Sequence, residues 1–127
     1  MFPDAHYIRW VRAPRDCVLG RHLTDDLRDF GIDSPATDDV HRRRAISWFY
    51  QYQLVKATPK PKRWLRVRFE DFILRQDETL ERLAAFLGFP VAAIPVRSES
   101  VGRWQSATEA TFFDFLAPAM EEYHYKV

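Results

Sequence analysis

Glycine is scarce in this chain. Gly20, Gly31, Gly88 and Gly102 are the only four among 127 residues, and none lies in a run that could cradle a phosphate. Cysteine is scarcer: a lone Cys17 makes no internal disulfide, which fits a reducing, cytoplasmic setting. His6, His22, His41 and His124 are scattered, so no Cys/His cluster has zinc spacing and no metal site is expected. Charge of one sign is also missing. Nineteen basic residues face 18 acidic ones for a net charge of +1, which gives no general field for nucleic acid or an anionic membrane. Any anion site must therefore be local. No apolar run approaches the roughly 18 residues that span a bilayer, and Met1 to His6 lacks the basic and apolar regions of a signal peptide.

What remains is a globular composition. Hydrophobic residues at 46% and aromatics at 15% lie far from the signature of disorder, and 127 residues make one domain the expectation. The spacing predicts a first strand over residues 5–11, followed directly by a helix from Pro14 to about Phe30. Leu19, Leu23, Leu27 and Phe30 line one face of that helix and Gly31 caps it. A second helix is expected from an N-cap at Thr37 or Asp38 to about Ala57. Its buried stripe is Ala45, Trp48, Phe49, Tyr52 and Val55, with Arg42 to Arg44 as a solvated face. Thr58-Pro59-Lys60-Pro61-Lys62 breaks it. Trp64 to Phe69 alternates as a half-buried strand, and Glu70 to Leu74 makes a helical turn. Asp77 is the expected cap of a helix lined by Leu80, Leu83, Ala84 and Leu87 and closed by Gly88. After an irregular stretch from Pro90 to Pro95, Ser106-Ala107-Thr108-Glu109 reads as a capping box. It would open a last helix kinked at Pro118, with Phe112, Phe115, Leu116, Ala119 and Tyr123 turned inward.

Chemistry concentrates at the first strand-to-helix junction. A helix start leaves backbone N–H groups unpaired, Pro14 suits the first helical position, and Arg12 and Arg15 stand beside it, which together favour an anion. A second candidate is Arg97 to Trp104, where Gly102 allows close backbone approach and arginines offer planar forks of donors. The four histidines read as surface or half-buried residues rather than catalysts.

Arg12-Ala13-Pro14-Arg15-Asp16-Cys17-Val18-Leu19-Gly20 resembles the 3′-phosphate-binding segment of sulfotransferases that use 3′-phosphoadenosine 5′-phosphosulfate. In that family an Arg is followed by Pro, a basic residue, Asp, a small apolar run and a Ser, and Gly20 stands where the Ser would be. Val67-Arg68-Phe69-Glu70-Asp71-Phe72 through Phe86-Leu87-Gly88-Phe89-Pro90 resembles the family's Arg-Tyr-Glu-Asp-Leu segment and the helix ending in Phe-Leu-Gly. Phe69 keeps the ring of the Tyr that lies near the nucleotide and lacks its hydroxyl. Arg97 with Gly102-Arg103-Trp104 resembles the loop that closes over the same phosphate, with Ser98 and Glu99 replacing the family's Lys and Gly.

The resemblance implies an α/β chain: part of a P-loop-kinase-like, three-layer α/β/α domain with a small parallel sheet and about five helices. Residues 1–127 are expected to be the C-terminal part of such a domain. The implied co-substrate is 3′-phosphoadenosine 5′-phosphosulfate, with no metal. Arg12 would bind its 3′-phosphate, with Gly20 and Phe69 at family positions near the nucleotide. Arg97, Gly102 and Arg103 would close over the phosphate, and Trp104 would support that loop. The family's Gly-Thr-Thr loop for the 5′-phosphosulfate, its Lys and its catalytic base have no counterpart, so no catalytic residue is assigned. The chain alone is expected not to transfer a sulfuryl group to an acceptor hydroxyl or amine. The acceptor is left open, and a separate N-terminal half or protein partner is a possible complement. A non-catalytic interaction module, binding a protein through its sheet edge and aromatic surface, is the alternative. A nucleic-acid binder using Arg42 to Arg44 and Lys60 to Arg63 is opposed by the near-neutral charge.

Overall fold

The structure, a computed structural model, describes residues 2–20 and 26–127. Leu23 and His22, named above, lie outside the described residues. The chain divides into two compact units, Met1–Arg12 with Pro59–Val101 and Ala13–Thr58 with Gly102–Val127.

The first unit is built on β1 (His6–Val11) and β2 (Arg63–Arg68), which pair in parallel with His6 opposite Arg63 and Val11 opposite Arg68. Strand register puts His6, Ile8 and Trp10 on one face with Leu65 and Val67. On that face Val67 is fully buried, Trp10 meets Phe72 edge-on at 5.3 Å and His6 meets Phe86 at 5.1 Å. Phe72 and Phe86 belong to α3 (Phe69–Leu74) and α4 (Gln76–Leu87). Phe69 therefore opens a helix instead of closing the strand. Glu70 and Asp71 in the first turn favour that start, because carboxylates complement the positive end of the helix dipole. Asp77 is likewise not the N-cap: Arg75 occupies that position, and Asp77 lies in the first turn. The two helices share Arg75 as their junction, which leaves no room for a cap two residues later. Gly88, at φ 84°, closes α4 as the sequence predicts.

In the second unit α1 is one turn, Pro14–Cys17, with Pro14 where its missing N–H costs nothing. Tight bonds from the Leu19 and Gly20 amides to the Asp16 and Cys17 carbonyls, both 3.2 Å, end it, so the predicted continuous helix to Phe30 is not formed. Asp26 starts a separate turn at Leu27–Phe30, its carboxylate accepting from the Arg28 amide, and Gly31 at φ 72° closes it. That cap was hidden by the leucine periodicity. α2 (Val40–Ala57) is capped by Asp39, which accepts from the His41 and Arg42 amides at 2.9 and 3.2 Å, one residue beyond the predicted choices. Thr37 bonds the Asp39 amide instead, at 3.2 Å.

Ala45 and Tyr52 of the predicted stripe are buried, whereas Val55 is exposed. Val18, Ala45, Leu116 and Met120 form a buried core, with Trp48, Phe49, Phe112, Phe113, Phe115 and Tyr125 packed against it. The last helix, α5 (Ala117–Glu122), carries Pro118 in its first turn, where proline is tolerated, so Pro118 starts a helix and kinks none. Ser106-Ala107-Thr108-Glu109 opens no helix. Short 3-10 turns at Arg103–Ser106 and Asp114–Leu116 precede α5. The ends of α2 and α5 meet at Glu122, whose carboxylate accepts from the Tyr52 hydroxyl and, at 3.3 Å, from Lys56 Nζ. Burial, reinforced by the Glu122 bond, raises the Tyr52 pKa.

Leu116 has no exposed surface, and truncation there removes atoms the core cannot replace. Leu116→Ala should cost roughly 2–5 kcal/mol in denaturant unfolding, and an unchanged midpoint would show that the site collapses without loss. The Arg28 side-chain bond, at 2.6 Å, and the Arg28 amide hold Asp26 down to about 2 from the ordinary 3.8. A depressed carboxylate stabilises the fold above its unfolded pKa, and that contribution fades as pH falls from the ordinary value through about 2. Carbon-13 titration should place the Asp26 midpoint near 2, and Arg28→Ala should return it toward 3.8. A midpoint indifferent to Arg28 would contradict the assignment.

Candidate functional site

In the first unit, Arg12 follows β1 directly. Its guanidinium carbon lies 4.5 Å from the Phe69 ring centroid, and Nη2 donates to the Ser100 carbonyl at 2.8 Å. The stack and the bond together fix the plane of a half-buried cation. Phe69 is placed for this role because it opens α3 immediately after β2. The Arg97 carbonyl accepts from the Ser100 amide at 3.1 Å and from Ser100 Oγ at 2.6 Å, closing a short turn at Ser98–Ser100. The Arg97 side chain is exposed. Arg12, Phe69 and the turn that follows Arg97 are thus brought together within one unit.

The second unit holds the other predicted residues. Asp16, in the single turn of α1, is 2% exposed, and both its carboxylate oxygens are used: Oδ2 accepts from the Gly102 amide at 2.8 Å and Oδ1 from the Trp104 amide at 3.0 Å. Gly102 sits at φ 75°, a left-handed backbone that favours glycine, while a Cβ there would make only ordinary contact with the Gln105 side chain at 3.4 Å. Arg103, between the two anchored amides, keeps an exposed side chain. The Arg15 guanidinium lies 3.7 Å from the Trp104 ring centroid, and its Nε donates to Thr111 Oγ1 at 3.2 Å. Burial lowers the Arg15 pKa, from a value high enough that the cation is kept at neutral pH. Gly20 ends the turn that follows α1.

Two features escaped the sequence reading. The role of Asp16 as a backbone anchor is one, and no local signal reports it, because Gly102 and Trp104 lie more than eighty residues away in the chain. The basic triplet is also not a uniform solvated face. Arg42 is exposed, whereas Arg44 Nη1 donates to the Val18 carbonyl at 3.0 Å. Among the described residues no group of His, Cys, Asp and Glu could hold a metal, and no helix is long and apolar enough to cross a membrane.

A family model described as Sulfotransferase family matches residues 1–93. Among solved structures, a "Sulfotransferase Domain from the Curacin Biosynthetic Pathway" aligns with a TM-score of 0.71 at 14% identity. That alignment covers 100% of this chain and 56% of the other, so this chain spans little more than half the length of that domain. No curated protein matches. The shared fold is P-loop-like and α/β, in keeping with the five helices and two parallel strands found among the described residues.

Proposed function

The chain belongs to the sulfotransferase family, and from that premise we propose that it binds 3′-phosphoadenosine 5′-phosphosulfate, or the 3′,5′-bisphosphate product, through the 3′-phosphate. The observation that carries the reading is Arg12, a planar cation oriented by the Phe69 ring and the Ser100 carbonyl. A fixed guanidinium suits phosphate because its N–H groups match two oxygens at once. Arg97, in the same unit as Arg12, adds an exposed cation. Gly20 stands at the family's hydroxyl position and contributes no side-chain donor. Trp104 supports its loop from beneath Arg15.

Arg12 and Arg97 suit a phosphate chemically, and the family's loop, Lys and base for the transferring group have no counterpart in the sequence. When bound, the nucleotide supplies an activated sulfuryl group for an acceptor hydroxyl or amine. What this chain contributes is recognition of the end remote from that group. In this proposal residues 1–127 act as the C-terminal part of a sulfotransferase domain in a cytoplasmic setting. The 5′-phosphosulfate loop, its Lys and the base come from a segment outside them, in the same polypeptide or in a partner. The second reading, an interaction module on the same scaffold, is favoured by Ile8 and Trp10, each 43% exposed on β1. Nucleotide binding separates the two.

Calorimetry with 3′-phosphoadenosine 5′-phosphate should show binding that weakens about tenfold to hundredfold in Arg12→Ala, the loss of one charge-assisted contact worth roughly 1.5–3 kcal/mol. Equal affinities would remove Arg12 from the site. In a radiolabelled transfer assay over phenol, alcohol and amine acceptors, the 127-residue chain should be inactive. Activity should appear when a segment bearing a Gly-Thr-Thr loop is supplied, because positioning and charge stabilisation at the reacting group both depend on it. Robust turnover by the short chain would overturn the division of labour proposed here.

A further inference from the structure

We propose that Arg9 and Arg66 form an oxyanion site on the sheet of the first unit, separate from Arg12, which takes a sulfate ion or the carboxylate of an acidic polypeptide. The site lies within that one unit and does not depend on the nucleotide reading.

The parallel register sets Arg9 directly opposite Arg66, with Tyr7 opposite Trp64 before them and Val11 opposite Arg68 after them. Alternation puts these six residues on one face of the sheet, and the ring contacts of His6 and Trp10 with Phe86 and Phe72 belong to the other. Neighbouring strands lie about 4.8 Å apart, so the two arginine stems rise side by side and their like charges repel. A further cation adjoins them, because Arg82 Nη2 donates to the Arg66 carbonyl at 3.3 Å. Acid near this end of β2 is already engaged. Asp71 lies 3.9 Å from Arg68 Nη1 and also accepts from Arg75 Nη2.

Arg9 is the member of the pair that the fold leaves unserved. Its Nε is buried without a hydrogen-bond partner among the described residues, and no carboxylate among them pairs with its guanidinium. An N–H withdrawn from water and given no acceptor is costly, and such groups are rare in a folded chain. An oxyanion removes both defects together. The Nε–H and one Nη–H of a guanidinium run parallel and match two oxygens of a sulfate or carboxylate, while the negative charge offsets the repulsion from Arg66. Arg9 and Arg66 are only half-buried, and Trp64 beside them is 37% exposed, so the face is open to solvent there. Lys60 Nζ, 4.9 Å from the Trp64 ring centroid, adds positive charge at that opening.

The test follows the Arg9 Nε–H signal by nitrogen-15 NMR, assigned by its loss in Arg9→Lys, as sodium sulfate or poly-glutamate is added to the full chain at constant ionic strength. At least one of the two should shift it. Calorimetry with that anion should show affinity falling about tenfold or more in Arg9→Gln and in Arg66→Gln, the loss of a charge-assisted fork. Lys62→Gln removes the same charge from an exposed position outside the strand and should change affinity by less than about twofold. Arg9→Lys keeps the charge without the fork, and it should lose most of the affinity even where Arg9→Gln fails to fold. A response to sulfate supports a site for a free ion, and a response to poly-glutamate alone supports a site for a protein-borne carboxylate. An Arg9 signal that neither anion moves overturns the proposal. Equal weakening by Lys62→Gln and Arg9→Gln overturns it as well, because unspecific positive charge would then account for the binding.

Discussion

Asp16 is 2% exposed, and an ionised carboxyl group set that deep costs on the order of several kcal/mol unless hydrogen bonds replace the lost water. The Gly102 and Trp104 amides are those replacements. The consequence is topological. Residues 13–58 and 102–127 form one compact unit although more than forty residues separate them in the chain, and Asp16 ties the start of the first segment to the start of the second. Apolar packing completes the unit through Val18 and Ala45 from one segment and Leu116 and Met120 from the other. Such packing is tolerant of small shifts, whereas a carboxylate with two amides admits one register of the loop.

Arginine does much of the remaining ordering. Arg12 lies on Phe69 and bonds the Ser100 carbonyl, Arg15 lies on Trp104 and bonds Thr111, and Arg44 bonds the Val18 carbonyl. In each case a flat cation satisfies an acceptor at least partly buried, and for Arg12 and Arg15 its face also covers an aromatic ring. A chain with nearly balanced charge thus uses several arginines as packing elements. Counting its basic residues says little about what it binds. Arg97 and Arg103, which are exposed, are of a different kind.

The strands, α2 and the Gly88 stop were legible because each rests on a local signal: alternation, a long apolar stripe, or a left-handed cap. The long helix from Pro14 was misread, since leucine spacing continued across a break that Asp26 makes by capping a new turn. Pro118 was read as a kink because the capping box before it suggested an earlier start, and a proline in the first turn is compatible with either. Parallel pairing of β1 with β2 brings together segments more than fifty residues apart, and no local pattern reports it. The candidate site was legible as residue types in an order: Arg12, Phe69, Arg97 and Gly102 could be named. The Arg12 stack on Phe69 and the anchoring by Asp16 could not, because both depend on tertiary contact.

In the nucleotide proposed as ligand, the 3′-phosphate lies at the far end from the group that moves, so in that proposal recognition and chemistry are carried by different residues. A contact made equally in the ground state and the transition state adds affinity without lowering the barrier from the bound complex. It becomes useful to the reaction only when something rigid transmits it, so that holding the remote end fixes the reacting end. Rigidity is what this chain invests in. Arg12 is clamped between a ring and a carbonyl, Gly102 is held in a left-handed turn, and Trp104 is gripped through both its amide and its ring. A loose anion site would need none of these. Each hold lies within its own unit, and under the proposed reading it is the fixed plane of Arg12, rather than the sum of positive charge, that would serve the nucleotide.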